Sequence, residues 1–153
     1  MTRGQQSSKN VSGKREDVRF REVICEMTIF DTNVVIDYLR GKETASEIMT
    51  DGHSEIAITV ITGYELLKGY RTRKEESTVN ELLNRVRIYH FDSRSMIVAG
   101  SLYRELKSSG RLKNEADILI AGIVLANNET LITADNDFSG LADAMGDSLI
   151  LLK

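Results

Sequence analysis

The chain has a single cysteine, Cys25, among its 153 residues. That excludes an internal disulfide and a cysteine-rich zinc site. Two histidines, His53 and His90, are too few for a histidine-rich metal centre. Proline and tryptophan are absent. No stretch of 18 apolar residues occurs, so no transmembrane helix is expected. The first residues lack the apolar core of a secretory signal. Neither charge sign dominates: 20 Lys and Arg stand against 23 Asp and Glu, a net charge of −3. This balance argues against a disordered polyelectrolyte and against a strongly basic nucleic-acid coat. What remains is a length suited to one domain and an ordinary apolar share of 41%, enough for one full core. A soluble cytoplasmic protein is expected.

Charge divides the chain. Residues 1–26 carry six Lys and Arg against four Asp and Glu, while the rest carries 14 against 19. The first segment has no long apolar period, so 1–26 is expected to be a flexible polar leader or tail and 27–153 the folded domain. From Met27 onward, short apolar runs alternate with helical periods. Strands are expected at 27–30, 55–59, 87–91, 130–135 and 149–152. Helices are expected at 34–41, 43–52, 61–70, 75–87, 93–108 and 116–127. In the helix ending near Ser108, Met96, Ala99, Gly100, Tyr103 and Leu106 are expected to face inward. The run ADILIAGIVLAN (116–127) is apolar almost all round and should be buried. Strands alternating with helices predict an α/β fold with a central, mostly parallel sheet.

In such a sheet, ligands sit beyond the carboxyl ends of the strands. Asp31 follows the first expected strand and Asp135 closes TLITAD. Glu65 lies in the helix after EIAIT, and Asp117 opens the buried helix. Asp137 is a fifth candidate. Singly, each acid has an ordinary reading: a turn or helix cap for Asp31 and Asp117, a surface partner of Lys68 or Arg71 for Glu65. Together they point elsewhere, because Asp117 interrupts an apolar stretch where an unpartnered acid is costly. Gathered carboxylates repel one another unless a cation joins them. Oxygen-only ligands select hard ions, so Mg²⁺ or Mn²⁺ is expected, and such ions serve phosphodiester cleavage. Lys68, Arg71, Arg73 and Lys74 form a basic patch beyond Glu65; it is a solvated face or a path for an RNA backbone. Asp37 reads as a solvated or paired acid, His90 as a strand residue and Cys25 as inert.

Four segments, in this order, resemble the PIN-domain ribonucleases, in particular the VapC-type toxins of toxin–antitoxin pairs. They are FDTNVVIDYL (30–39), ITVITGYELLKG (58–69), SLYRELKSSGR (101–111) and ADILIAGIVLANNETLITADNDF (116–138). The resemblance implies a three-layer α/β/α domain and a Mg²⁺- or Mn²⁺-dependent endoribonuclease leaving 5′-phosphate and 3′-hydroxyl ends. Asp31, Glu65, Asp117 and Asp135 match the family's acidic positions, with Asp137 assisting the metal or shaping the turn. Thr32 lies in the first motif, Asn33 is expected to orient Asp31, and Thr133 matches a polar residue at the rim. The implied partners are RNA, a VapB-type antitoxin and a second copy of the chain. The apolar faces of 75–86 and 118–126 are expected to serve the dimer. Two departures stand out: the leader, and NNET (127–130) where a glycine turn is common.

Rival readings remain at this level. An RNA-processing nuclease outside any toxin pair shares all these motifs. A phosphatase built on Asp31 would need an acid two residues later, where Asn33 stands. A receiver-type module would need a lysine after a late strand, and none follows TLITAD. A non-catalytic domain whose acids only hold a cation is the remaining rival.

Overall fold

The computed structural model describes residues 27–52 and 55–153. The leader expected over 1–26, with Cys25 in it, lies outside the described residues, as does His53. Among these residues, five strands form one sheet: β1 (Thr28–Phe30), β2 (Ala57–Thr59), β3 (Arg87–Tyr89), β4 (Thr130–Thr133) and β5 (Leu149–Leu151). Their order is β3-β2-β1-β4-β5, and every neighbouring pair is parallel. The chain thus steps outward from β1 through β2 to β3, then returns to the other side of β1. The direction reverses between β1 and β4, the point at which a crevice opens in sheets of this kind.

Among the described residues, seven helices cover the sheet: α1 (Thr32–Leu39), α2 (Glu43–Thr50), α3 (Val60–Gly69), α4 (Arg73–Leu83), α5 (Ser93–Ser108), α6 (Glu115–Ala126) and α7 (Ala142–Met145). Successive strand residues point to opposite faces. Ile29, Ala57 and Leu131 therefore join a core under α5 and α6, while Phe30, Ile58 and Ile132 join one under α1 to α4. This is the expected three-layer architecture. Among the described residues, no helix is long and apolar enough to cross a membrane.

Local chemistry explains the element ends. Thr72 and Glu75 form a reciprocal capping box that starts α4. Asp92 caps α5 through the Ser95 amide. Gly110 ends that helix with φ 67°. The NNET turn works without glycine because Asn128 takes φ 54°, a conformation that asparagine tolerates. Gly122 lets α6 approach α5: a Cβ there would lie 2.6 Å from that of Ala99.

Four expectations change. Met96, assigned inward, is 56% exposed, Gly100 and Tyr103 are half-buried, and the buried face of α5 carries Ala99, Leu102 and Leu106. The strand expected to run to Asp135 stops at Thr133, because the chain turns there into a 3₁₀ segment, Asn136–Leu141. His90 lies past the end of β3 and is exposed. The apolar run 118–126 is consumed within the monomer: Ile118, Ile120, Ala121, Ile123 and Val124 are all buried in the core.

Candidate active site

Asp31 leaves β1 at the sheet edge and is 5% exposed. It occupies the N-cap position of α1, yet its side chain makes no capping bond. Instead its Oδ2 accepts a 2.7 Å hydrogen bond from the buried Thr133 hydroxyl at the end of β4. The same Thr133 oxygen accepts the Asp135 amide at 3.0 Å. One hydroxyl thus joins the acid after β1 to the acid after β4, across the point where the strand order reverses. Asp135 caps the 3₁₀ segment through the Asp137 amide, which sets that turn.

Glu65 arrives from a third direction. Thr59 ends β2 and caps α3 through the Thr62 amide, which fixes where that helix begins. Glu65 follows on its second turn, and the Thr32 hydroxyl donates to its Oε2. Asp117 arrives from the first turn of α6 and is 8% exposed. Asn33 sits differently from its expected place: its Oδ1 accepts the Ala134 amide at 3.3 Å, pinning the chain after β4. The hydroxyl that touches Asp31 belongs to Thr133.

The electrostatics follow from this crowding. Burial raises the Asp31 pKa, against the Thr133 hydroxyl and the Thr32 backbone amide, which lower it; Glu65 and Asp135 push it further up. Asp117 is pushed up to about 6, first by burial and then by Asp31, Asp135, Asp137 and Glu65. Asp117 therefore feels four carboxylates that come from three other segments of the chain.

Among the described residues, no three potential ligands are already drawn tightly enough to hold a metal ion as they stand. The donor chemistry nevertheless fits a hard divalent cation. All five groups are carboxylates, the repulsion raising Asp117 comes from the other four, and a cation would relieve it.

The remaining candidates separate into two groups. Asp37 lies apart from the acids, paired with Lys42 at 2.8 Å. Lys68 lies 5.3 Å from the Tyr64 ring centre on exposed helix surface. Arg71, Arg73 and Lys74 are also exposed, and Lys74 lines a cleft that Glu65 lines too. Sequence reasoning missed Arg40 and Tyr70 in that cleft. Their only signal was proximity in the chain to the ends of α1 and α3.

Known proteins share this arrangement of sequence and fold to differing extents. Ribonuclease VapC1 of Methanocaldococcus jannaschii is 31% identical over 69% of this chain and 73% of its own length. Ribonuclease VapC3 of the same organism is 30% identical over 62% of this chain and 95% of its own. The crystal structure of DNA-bound VapBC from Salmonella typhimurium superposes with a TM-score of 0.71 at 22% identity, covering 82% of this chain and 97% of that one. The family model described as PIN domain matches residues 28–144, a span holding all five carboxylates and four of the five strands. By that match, and by the shared architecture, the chain belongs to the PIN domain family.

Proposed function

We infer that the chain is an endoribonuclease that hydrolyses RNA phosphodiesters with Mg²⁺ or Mn²⁺, and that it is the toxin of a VapBC-type pair. The observation that supports this is the Thr133 hydroxyl joining Asp31 to the Asp135 backbone, with Glu65 held by Thr32 beside them. The VapC ribonucleases among its relatives support the choice of substrate. The nuclease domain on this reading spans 27–153.

Asp31, Glu65, Asp117 and Asp135 would hold the cation, with Asp137 beside them. When bound, the ion supplies a lowered water pKa and charge neutralisation on the phosphate. Thr133 keeps the Asp31 carboxylate aimed and ties it to the Asp135 backbone. Thr32 does the same for Glu65, and Asn33 holds the chain at Ala134. Asp117, which burial and its acidic neighbours hold above the usual carboxylate range, would offer its carboxylate to the same cation. No histidine is needed as a base.

The partners are RNA, a VapB-type antitoxin and a second copy of the chain. Tyr64 and Leu67 on α3, Phe91 just before α5, and Met96 and Ile97 near its start are among the exposed apolar residues available for the copy. Ile97 is 68% exposed, so Ile97→Glu is expected to spare the fold and halve the mass seen by light scattering. A variant that stays dimeric would assign the dimer to another face.

The toxin reading is tested in cells. Induced expression should arrest growth, Asp31→Asn should not, and co-expression of the adjacent small reading frame should restore growth. Unimpaired growth alongside RNA cleavage by the purified protein would favour an RNA-processing nuclease.

A further inference from the structure

Residues 109–114 lead into α6, and so to Asp117, while the 3₁₀ segment Asn136–Leu141 carries Asp137 and follows Asp135. The loop and the segment meet at Gly140. A Cβ built there would overlap Cε of Lys113, and would meet its Nζ at 3.0 Å and its Cδ at 3.5 Å. The half-buried Lys113 stem thus lies in the notch that a missing side chain leaves. Gly140 does not have a positive φ, so the lysine stem, and not the backbone, is what demands glycine there.

The 3₁₀ geometry gives the notch its meaning. Side chains three residues apart fall in line on such a helix. Phe138 and Leu141 form one row, fully buried in the core. Asp137 and Gly140 form the neighbouring row. Lys113 therefore crosses the row on which Asp137 stands, about one turn, or roughly 6 Å, beyond it. Lys113 takes part in none of the ion pairs among the described residues; its hold on the segment is the contact of its stem. From the same loop Arg111 reaches Asp143, just past the segment, at 3.1 Å, an exposed pair of small worth.

We propose that Lys113 is a positioning residue for the acidic edge: laid in the Gly140 notch, it fixes the turn carrying Asp135 and Asp137 against the loop that leads to Asp117. It thereby holds carboxylates from two segments at the spacing a cation needs. The proposal rests on the cation-site reading above and deepens it with a residue outside the carboxylate set. By charge alone a lysine is an unfavourable neighbour, because its ammonium repels an incoming cation. Stem and charge therefore pull cation affinity in opposite directions, and substitution can separate them.

The test is Mn²⁺ binding to the full, EDTA-treated chain, read from the loss of the free ion's electron paramagnetic resonance signal. Lys113→Ala, which removes the stem, is expected to weaken binding about tenfold, as when the support behind a metal ligand is lost. Gly140→Ala fills the notch and should weaken binding by the same factor. The flexible end of the lysine gives way, so the fold survives. The double variant should be no worse than either single one, because both remove one contact. Lys113→Met keeps a long stem without the charge and should bind Mn²⁺ at least as tightly as the wild type. Melting temperatures in EDTA should stay within about 2 °C of one another. Additive losses in the double variant would overturn the proposal, as would Lys113→Met binding as weakly as Lys113→Ala. So would wild-type affinity in both alanine variants, or losses that merely track a fall in melting temperature. Each of these leaves the cation site standing; a wild-type chain that binds no Mn²⁺ would overturn that reading as well.

Discussion

Asp31→Asn is expected to lower RNA cleavage at least a thousandfold while leaving the protein folded. The side chain is buried and is held by the Thr133 hydroxyl, which can still donate to a carboxamide oxygen. What disappears is a full negative charge at the centre of the carboxylate group, and a carboxamide is a poorer ligand for a hard cation. Asp37→Asn is the matched control. Asp37 lies on α1, the helix that Asp31 opens, and is paired with Lys42 at 2.8 Å, so its removal should cost cleavage almost nothing. The check is a cleavage rate for each variant at saturating Mg²⁺, with circular dichroism to confirm the fold. Equal rates for the wild type and Asp31→Asn would remove Asp31 from the cation site.

The second large effect is on stability, and its sign depends on pH. In the fold, Asp117 has its pKa raised to about 6 from an ordinary value of 3.8. The fold therefore prefers the neutral carboxyl. The stability that preference contributes is fully present below about pH 3.8 and is lost as the pH rises through 6. At pH 7 the metal-free protein carries a buried, repelled charge. Asp117→Asn removes that charge, so it should raise the metal-free melting temperature at pH 7 by roughly 5 °C, equivalent to about 1–3 kcal/mol. Near pH 4 the gain should shrink toward zero. Mg²⁺ should stabilise the wild type more than the variant, because the ion relieves the same repulsion. A gain of equal size at both pH values would assign the effect to packing rather than charge.

Much of this arrangement was legible in the residues. Asp31 and Asp135 stood out because each follows an apolar run short enough to be a strand, and parallel sheets place ligands there. Asp117 stood out because an acid inside an apolar helix demands a partner. The role of Thr133 was legible only as a position; its link between Asp31 and the Asp135 amide needs the β1–β4 pairing, which joins segments about a hundred residues apart. The outward turn of Met96 was hidden, because a period of 3.6 leaves neighbouring phases of one helix nearly equivalent. The 3₁₀ segment Asn136–Leu141 and α7 are too short to carry a period at all. The cleft beside Glu65 was invisible for a topological reason: Arg40 follows α1 while Lys74 lies in α4, and only the folded arrangement of helices brings them to one groove.

On the proposed function, these carboxylates serve a cation needed for cutting RNA. The most direct measurement is the cleavage of one end-labelled single-stranded RNA by purified wild-type protein, titrated with Mg²⁺ or Mn²⁺ from an EDTA-treated start. The expected result is no cleavage in EDTA, a saturable rise with either ion, products bearing 5′-phosphates, and no rise at any concentration for Asp31→Asn. Cleavage that persists undiminished in EDTA, or that rises equally in the wild type and Asp31→Asn, would contradict it.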